Sequence, residues 1–137
     1  MFDPDQWELQ SVPSCSCLYA LVPKGAGRTF LQRFAEKRQN REAALCLFKA
    51  LRRIDRDGIG RSLAIGLIRR LRGPVVEVKV FGTVIRGIAY QKSGQNALVL
   101  LSVEKTHQGS GNMHALIDEA ERKAALVEAL LAAREEG

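Results

Sequence analysis

Apolar and polar positions alternate along this chain with two periods, and the change of period marks its elements. "SCLYALV" (16–22) is a compact apolar stretch bounded by Pro13 and Pro23, which predicts a short strand. "PKGAG" then breaks the chain before "RTFLQRFAEKRQ", where Phe30 and Phe34 lie four apart with Leu31 beside them, the stripe of a short helix. In "NREAALCLFKALRRIDRDG" the residues Ala44, Leu47, Phe48, Leu51 and Ile54 follow helical spacing, Asn40 is placed to cap the start and Gly58 to end it. Burying that stripe turns Arg41, Lys49, Arg52, Arg53 and Arg56 outward, so periodicity alone puts a row of cations on one surface. Phe30, Phe34 and Phe48 are expected in the core.

"GIGRSLAIGLIRRLRG" has too many glycines for a long helix and predicts a loop followed by a short strand ending at Gly73. The period then becomes two. "PVVEVKV" puts Val76, Val78 and Val80 on one face and Glu77 and Lys79 on the other, and "TVIRGIAY" puts Arg86 in register with Val84, Ile88 and Tyr90. An arginine on an apolar face belongs at the margin of a cleft, because a buried unpaired charge is prohibitively costly. "QKSGQN" predicts a second hairpin turn, and "ALVLLSV" a central strand covered on both sides. A closing helix is expected over 112–134, with Asn112 as its cap and Ile117, Ala120, Ala124, Val127 and Leu131 as its apolar stripe. The fold class that follows is α+β: a small twisted antiparallel sheet packed on one face against two N-terminal helices, plus a C-terminal helix, with residues 1–15 flexible. The second sheet face, lined by Arg and Lys, is expected to stay open as a cradle for single-stranded nucleic acid or a groove for a partner helix.

At 137 residues the chain predicts a single domain, 1–137. Its apolar runs are too short to span a membrane and its acidic start lacks the features of a secretory signal, so a cytoplasmic location is expected. Cys15 and Cys17 are one residue apart and Cys46 stands alone, a spacing that suits neither a redox pair nor a four-ligand zinc site. Reduced thiols and no metal are expected. The net charge of +6 is unevenly spread: residues 24–72 carry fourteen bases against four acids, while the first 23 and the last 26 residues are each net acidic by three. That field steers a polyanion toward the middle of the chain, and an acidic partner protein fits the same surface. The acidic closing helix can satisfy the basic face within one chain or between two, which makes a homodimer a possible assembly.

No phosphate-binding, dinucleotide, zinc-protease or serine-hydrolase motif is present, and no cofactor is expected. What remains is a metal-free set of cations. Cleaving RNA without metal needs a group to take the 2′-hydroxyl proton, a cation to stabilise the phosphate oxygens and an acid for the 5′-oxygen. Arg86, Lys105 and His107 are the catalytic candidates. His107 has the side chain that titrates nearest neutrality. Arg69, Arg70, Arg72, Lys79, Arg52, Arg53 and Tyr90 are the candidates for holding phosphate or stacking a base. "LSVEKTHQGS" is expected to be the lip of the cleft, with Lys105 and His107 facing the same volume as Arg86.

The order "LYALVPKGAGRTFLQRF", "LIRRLRGPVVEVKV", "VIRGIAY", "ALVLLSVEKTH" and "IDEAERKA" resembles the phage-derived Gp49-like and HigB-like branch of the RelE/ParE toxin superfamily. The likeness runs from residue 17 to about 125. It is carried by Arg70-Leu71 with Glu77, by Arg86 and Tyr90, by Lys105-Thr106, and by Ala120 and Lys123, while Lys79 stands in place of an arginine and Glu104 in place of the first lysine of Lys-Lys-Thr. The resemblance implies a RelE-like fold and the toxin of a type II toxin–antitoxin system, a ribosome-dependent mRNA endoribonuclease that inhibits translation. Its partners would be a cognate antitoxin, the ribosome and mRNA. The altered "EKTH" segment motivates a second expectation, a non-catalytic binding or phage-related assembly protein of the same fold that engages a partner chain.

Overall fold

The computed structural model describes residues 2–105 and 110–136. After a single 3-10 turn at Pro4–Gln6 come β1 (Trp7–Ser11), β2 (Leu18–Pro23), α1 (Phe30–Glu36), α2 (Arg41–Asp57), α3 (Ile59–Ala64), β3 (Ile68–Arg72), β4 (Val75–Lys79), β5 (Ile85–Tyr90), β6 (Leu98–Lys105) and α4 (Ser110–Glu136). The six strands form one mixed sheet in the order β1-β2-β6-β5-β4-β3, antiparallel throughout except where β2 lies parallel to β6. A parallel pair needs a long crossover, and the three helices between β2 and β3 begin it.

Alternation along each strand sorts side chains into two cores. Leu18, Ala20 and Val22 of β2, Val76 and Val78 of β4, and Leu98 and Leu100 of β6 meet Leu31, Leu47, Leu51 and Ile54 from the first three helices. Leu21, Val75, Ile88, Tyr90, Val99 and Leu101 point the other way and are covered by Ala120, Ala124, Leu126 and Val127 of α4. The open second face expected from sequence is therefore wrong: α4 lies across it, because its stripe of small and apolar residues must itself be buried. Residues 1–15 also depart from expectation, since Trp7–Ser11 pair with Tyr19–Pro23 as an edge strand.

Local detail follows the pattern with informative exceptions. A capping box opens α1, with the Thr29 and Gln32 side chains each accepting from the other's backbone N–H. Asn40 does not cap α2; its side-chain amide donates to the Phe34 carbonyl instead. Gly58 does end α2, at φ 96°, and the glycine-rich stretch expected as a loop opens with the short helix α3. Asn112 falls inside α4 rather than at its start. Among the described residues no helix is long and apolar enough to cross a membrane.

Candidate functional site

Register gathers three basic strand positions and two acids on one face. Arg69 of β3 pairs with Glu77 of β4, and Lys79 pairs with Arg86 of β5, which pairs in turn with Glu104 of β6. Directly paired residues share a face. Glu77 and Lys79 alternate with core residues Val76 and Val78, so this polar group lies on the α4 side, at the end of the sheet beyond Val75, Ile88 and Tyr90. Arg86 Nη1 donates to Glu77 Oε2 at 2.6 Å, and Arg69 Nη2 stands 3.4 Å from Glu77 Oε1. The Glu77 and Arg86 side chains are 6% and 15% exposed, that of Arg69 55%. One arginine is thus held largely buried against Glu77 and the other meets it from solvent.

Glu77, Lys79 and Arg86 floor an open cleft of about 250 Å³ whose lining also includes Val80, Phe81 and Thr83, with Arg69 outside that lining. Its wall is the β4–β5 turn. The Thr83 hydroxyl donates to the Val80 carbonyl and accepts from the Ile85 N–H, and Gly82 supplies a backbone φ of 78°. The turn holds Phe81 and Val84 outward, at 65% and 66% exposed. An exposed aromatic beside a cationic floor has the chemistry to stack a nucleobase while arginines take the phosphate.

Several expected site residues lie elsewhere. Lys105 pairs with Ile85, a residue of the opposite core, so it projects from the face away from Arg86, and Glu104 takes the place beside that arginine. His107 lies outside the described residues. Tyr90 is completely buried, with its phenol 3.3 Å from the Gln95 amide oxygen, and burial raises its pKa. It cannot stack on a base. Arg70 clamps a turn, donating to the carbonyls of Gly73 and Gln91 at 2.9 and 2.7 Å and to the Gln91 side chain at 2.6 Å. Arg72 ties β3 to α4 through Asp118 at 2.7 Å and through Glu121.

Arg52 and Arg53 lie exposed on α2, as the helical stripe requires, but α2 covers the opposite sheet face. Arg53 is 3.6 Å from Asp57. Of the expected phosphate-binding set only Arg69 and Lys79 are brought together, around the expected catalytic Arg86. The signal for this group in the sequence is Glu77, an acid alternating with buried valines in a basic stretch. Spacing alone marks Phe81 only as part of a connecting turn.

A second polar constellation joins α2 to the segment before β2. Asp55 Oδ1 accepts from the N–H groups of Ser16 and Cys17, both at 2.9 Å, and from the Cys17 thiol at 3.2 Å. The Cys17 N–H bond, first among these donors, holds the Asp55 carboxyl below the usual aspartate range. Burial, reinforced by the aspartate, pushes the Cys17 thiol up to about 12. All three cysteines are free thiols, and the Cys17 thiol is suppressed rather than activated. Among the described residues no group of three or more His, Cys, Asp or Glu could hold a metal ion. In comparisons with known proteins, the chain matches no family model, no curated protein and no solved structure.

Proposed function

We propose that this domain is the toxin of a type II toxin–antitoxin pair, a metal-free endoribonuclease that cuts mRNA on the ribosome, and that the Glu77 cleft is its reaction centre. The observation that carries the reading is Glu77 between a buried and a solvent-exposed arginine, with Glu77 and Arg86 on the floor of an open cleft that has an exposed phenylalanine at its rim. An incoming phosphate competes for Arg69, whose side chain is half exposed, and so frees Glu77 Oε1 to act as the base. Glu77 takes the 2′-hydroxyl proton, the 2′-oxygen attacks phosphorus, and the bond from phosphorus to the 5′-oxygen breaks. Lys79 protonates the departing 5′-oxygen, leaving a 2′,3′-cyclic phosphate and a 5′-hydroxyl. Arg69 and Arg86 stabilise the charge on the phosphoryl oxygens. The resemblance to the RelE/ParE superfamily supports this class of activity and adds the ribosome and an antitoxin as partners.

Reconstituted translation with purified protein tests the proposal. Codon-linked mRNA fragments should appear, and Arg69→Ala and Lys79→Ala should each slow cleavage by roughly 10²-fold or more. Both residues can be changed without leaving a buried charge unpaired. Undiminished translation at micromolar protein would sink the proposal.

A second reading, a non-catalytic module that grips an acidic partner, is favoured by one specific arrangement. Lys105 lies on the face away from Arg86, and Arg52 and Arg53 present cations on the surface of α2. Under that reading charge reversal on α2 would abolish partner capture, and Arg69→Ala would not.

A further inference from the structure

The sheet is split. β2 and β6 pair only over Leu18–Ala20 and Leu98–Leu100, yet β2 continues to Pro23 along β1 and β6 continues to Lys105 along β5. Beyond Ala20 and Leu100 no register joins the two strands, and a cavity of about 520 Å³ occupies the gap. Leu21 and Leu101 enter it from the α4 core, while Phe30, Phe34 and Val103 enter it from the other core, with Trp7 at one side. The remaining wall carries Arg33, Lys37 and Lys123 and, among the described residues, no carboxylate. Arg33 and Lys37 are four residues apart at the end of α1, and Lys123 approaches from α4. None of the three forms a salt bridge among the described residues.

We propose that this cleft between β2 and β6 binds a small amphiphilic anion, a carboxylate or phosphate monoester carrying an aliphatic or single-ring aromatic tail. The cavity lies within the range of about 300–1,000 Å³ usual for small-molecule sites, which are mostly apolar with a few convergent polar groups. The tail takes the apolar wall and desolvates the half-buried Phe30, Phe34 and Val103. The head meets cations supplied from two helices, which no side chain of the cleft neutralises. A cationic or neutral amphiphile buries the same tail but finds no partner for its head. This site is separate from the Glu77 cleft, and its occupancy does not depend on the nuclease proposal.

Trp7 lines the cavity and is the single tryptophan of the chain, so its fluorescence reports on the site directly. Octanoate and octyl phosphate should each give a saturable change in emission. Octan-1-ol and octylammonium should bind at least tenfold more weakly, and inorganic phosphate should give no change. Arg33→Glu with Lys37→Glu, both at exposed positions, should weaken octanoate at least tenfold while the far-ultraviolet circular dichroism stays unchanged, and Lys123→Gln should weaken it by a smaller factor from the other wall. Equal affinity for octanoate and octan-1-ol would overturn the proposal by showing an apolar groove without anion selection. Binding of an acidic, leucine-containing peptide with no response to octanoate would overturn it too, by assigning the cleft to a polypeptide.

Discussion

Glu77 has its carboxylate almost out of water and two guanidinium groups to compensate it. Removing one partner of a buried pair leaves the other charge desolvated, so Glu77→Ala should destabilise the domain by about 3 kcal/mol in urea denaturation, and replacing both partners with apolar residues, Glu77→Leu with Arg86→Met, should restore most of that loss. An unchanged midpoint for the single variant would mean that Arg86 escapes to solvent. At Asp55 the sign is that of a depressed carboxyl. Its folded pKa lies below the ordinary aspartate value of 3.8, so its stabilisation is complete above that value and is lost as the pH falls through the folded pKa. Asp55→Asn should therefore flatten the acid limb of a stability-versus-pH curve in that range and leave its shape at neutral pH unaltered. The same substitution removes a charge that holds the Cys17 proton, so alkylation of Cys17 by iodoacetamide at pH 8, slow in the parent with a thiol near 12, should accelerate.

Among the elements, α4 carries the clearest energetic burden. Its Ala120, Ala124 and Val127 cover Val75, Ile88, Tyr90 and Val99, while Arg72 anchors its first half and Arg134 stacks over Tyr19 near its end, 4.8 Å from the ring centre. Val127 is fully buried, so Val127→Ala should cost about 2 kcal/mol, measured by thermal or urea unfolding. The stripe of α4 is legible from spacing alone. What it covers is not, because an apolar stripe specifies burial and leaves the identity of the buried partner to the rest of the chain. α3 escapes sequence reasoning on similar grounds: its glycines lower helix propensity, and Ile59 at 6% exposure together with Ser62, whose hydroxyl donates to the Gly58 carbonyl at 2.7 Å, hold a turn that local sequence would not.

For the whole molecule, the cations divide between two faces of one sheet. Arg52 and Arg53 lie over the helical layer, and Arg69, Lys79 and Arg86 lie at the end of the face that α4 covers. Their effects on RNA should separate accordingly. Arg52→Ala with Arg53→Ala should weaken binding to single-stranded RNA and lower the salt slope by about 0.7 for each phosphate that α2 no longer neutralises, in fluorescence anisotropy over a range of salt, without removing cleavage in reconstituted translation. An unchanged slope would remove α2 from the RNA-binding surface. The hydrophobic pattern of the sequence determined every strand but β1, the stripe of α2, the outward turn of its arginines, and the sharing of one face by Glu77 and Lys79, because these depend on the local pattern of helix and strand. The tertiary structure decided which of those faces meet. Register between neighbouring hairpin strands placed Arg69 and Arg86 around Glu77 and sent Lys105 to the other side, and packing of the distant α4 closed the sheet over Tyr90; the period of a strand fixes the face a residue takes but not the residue it meets there.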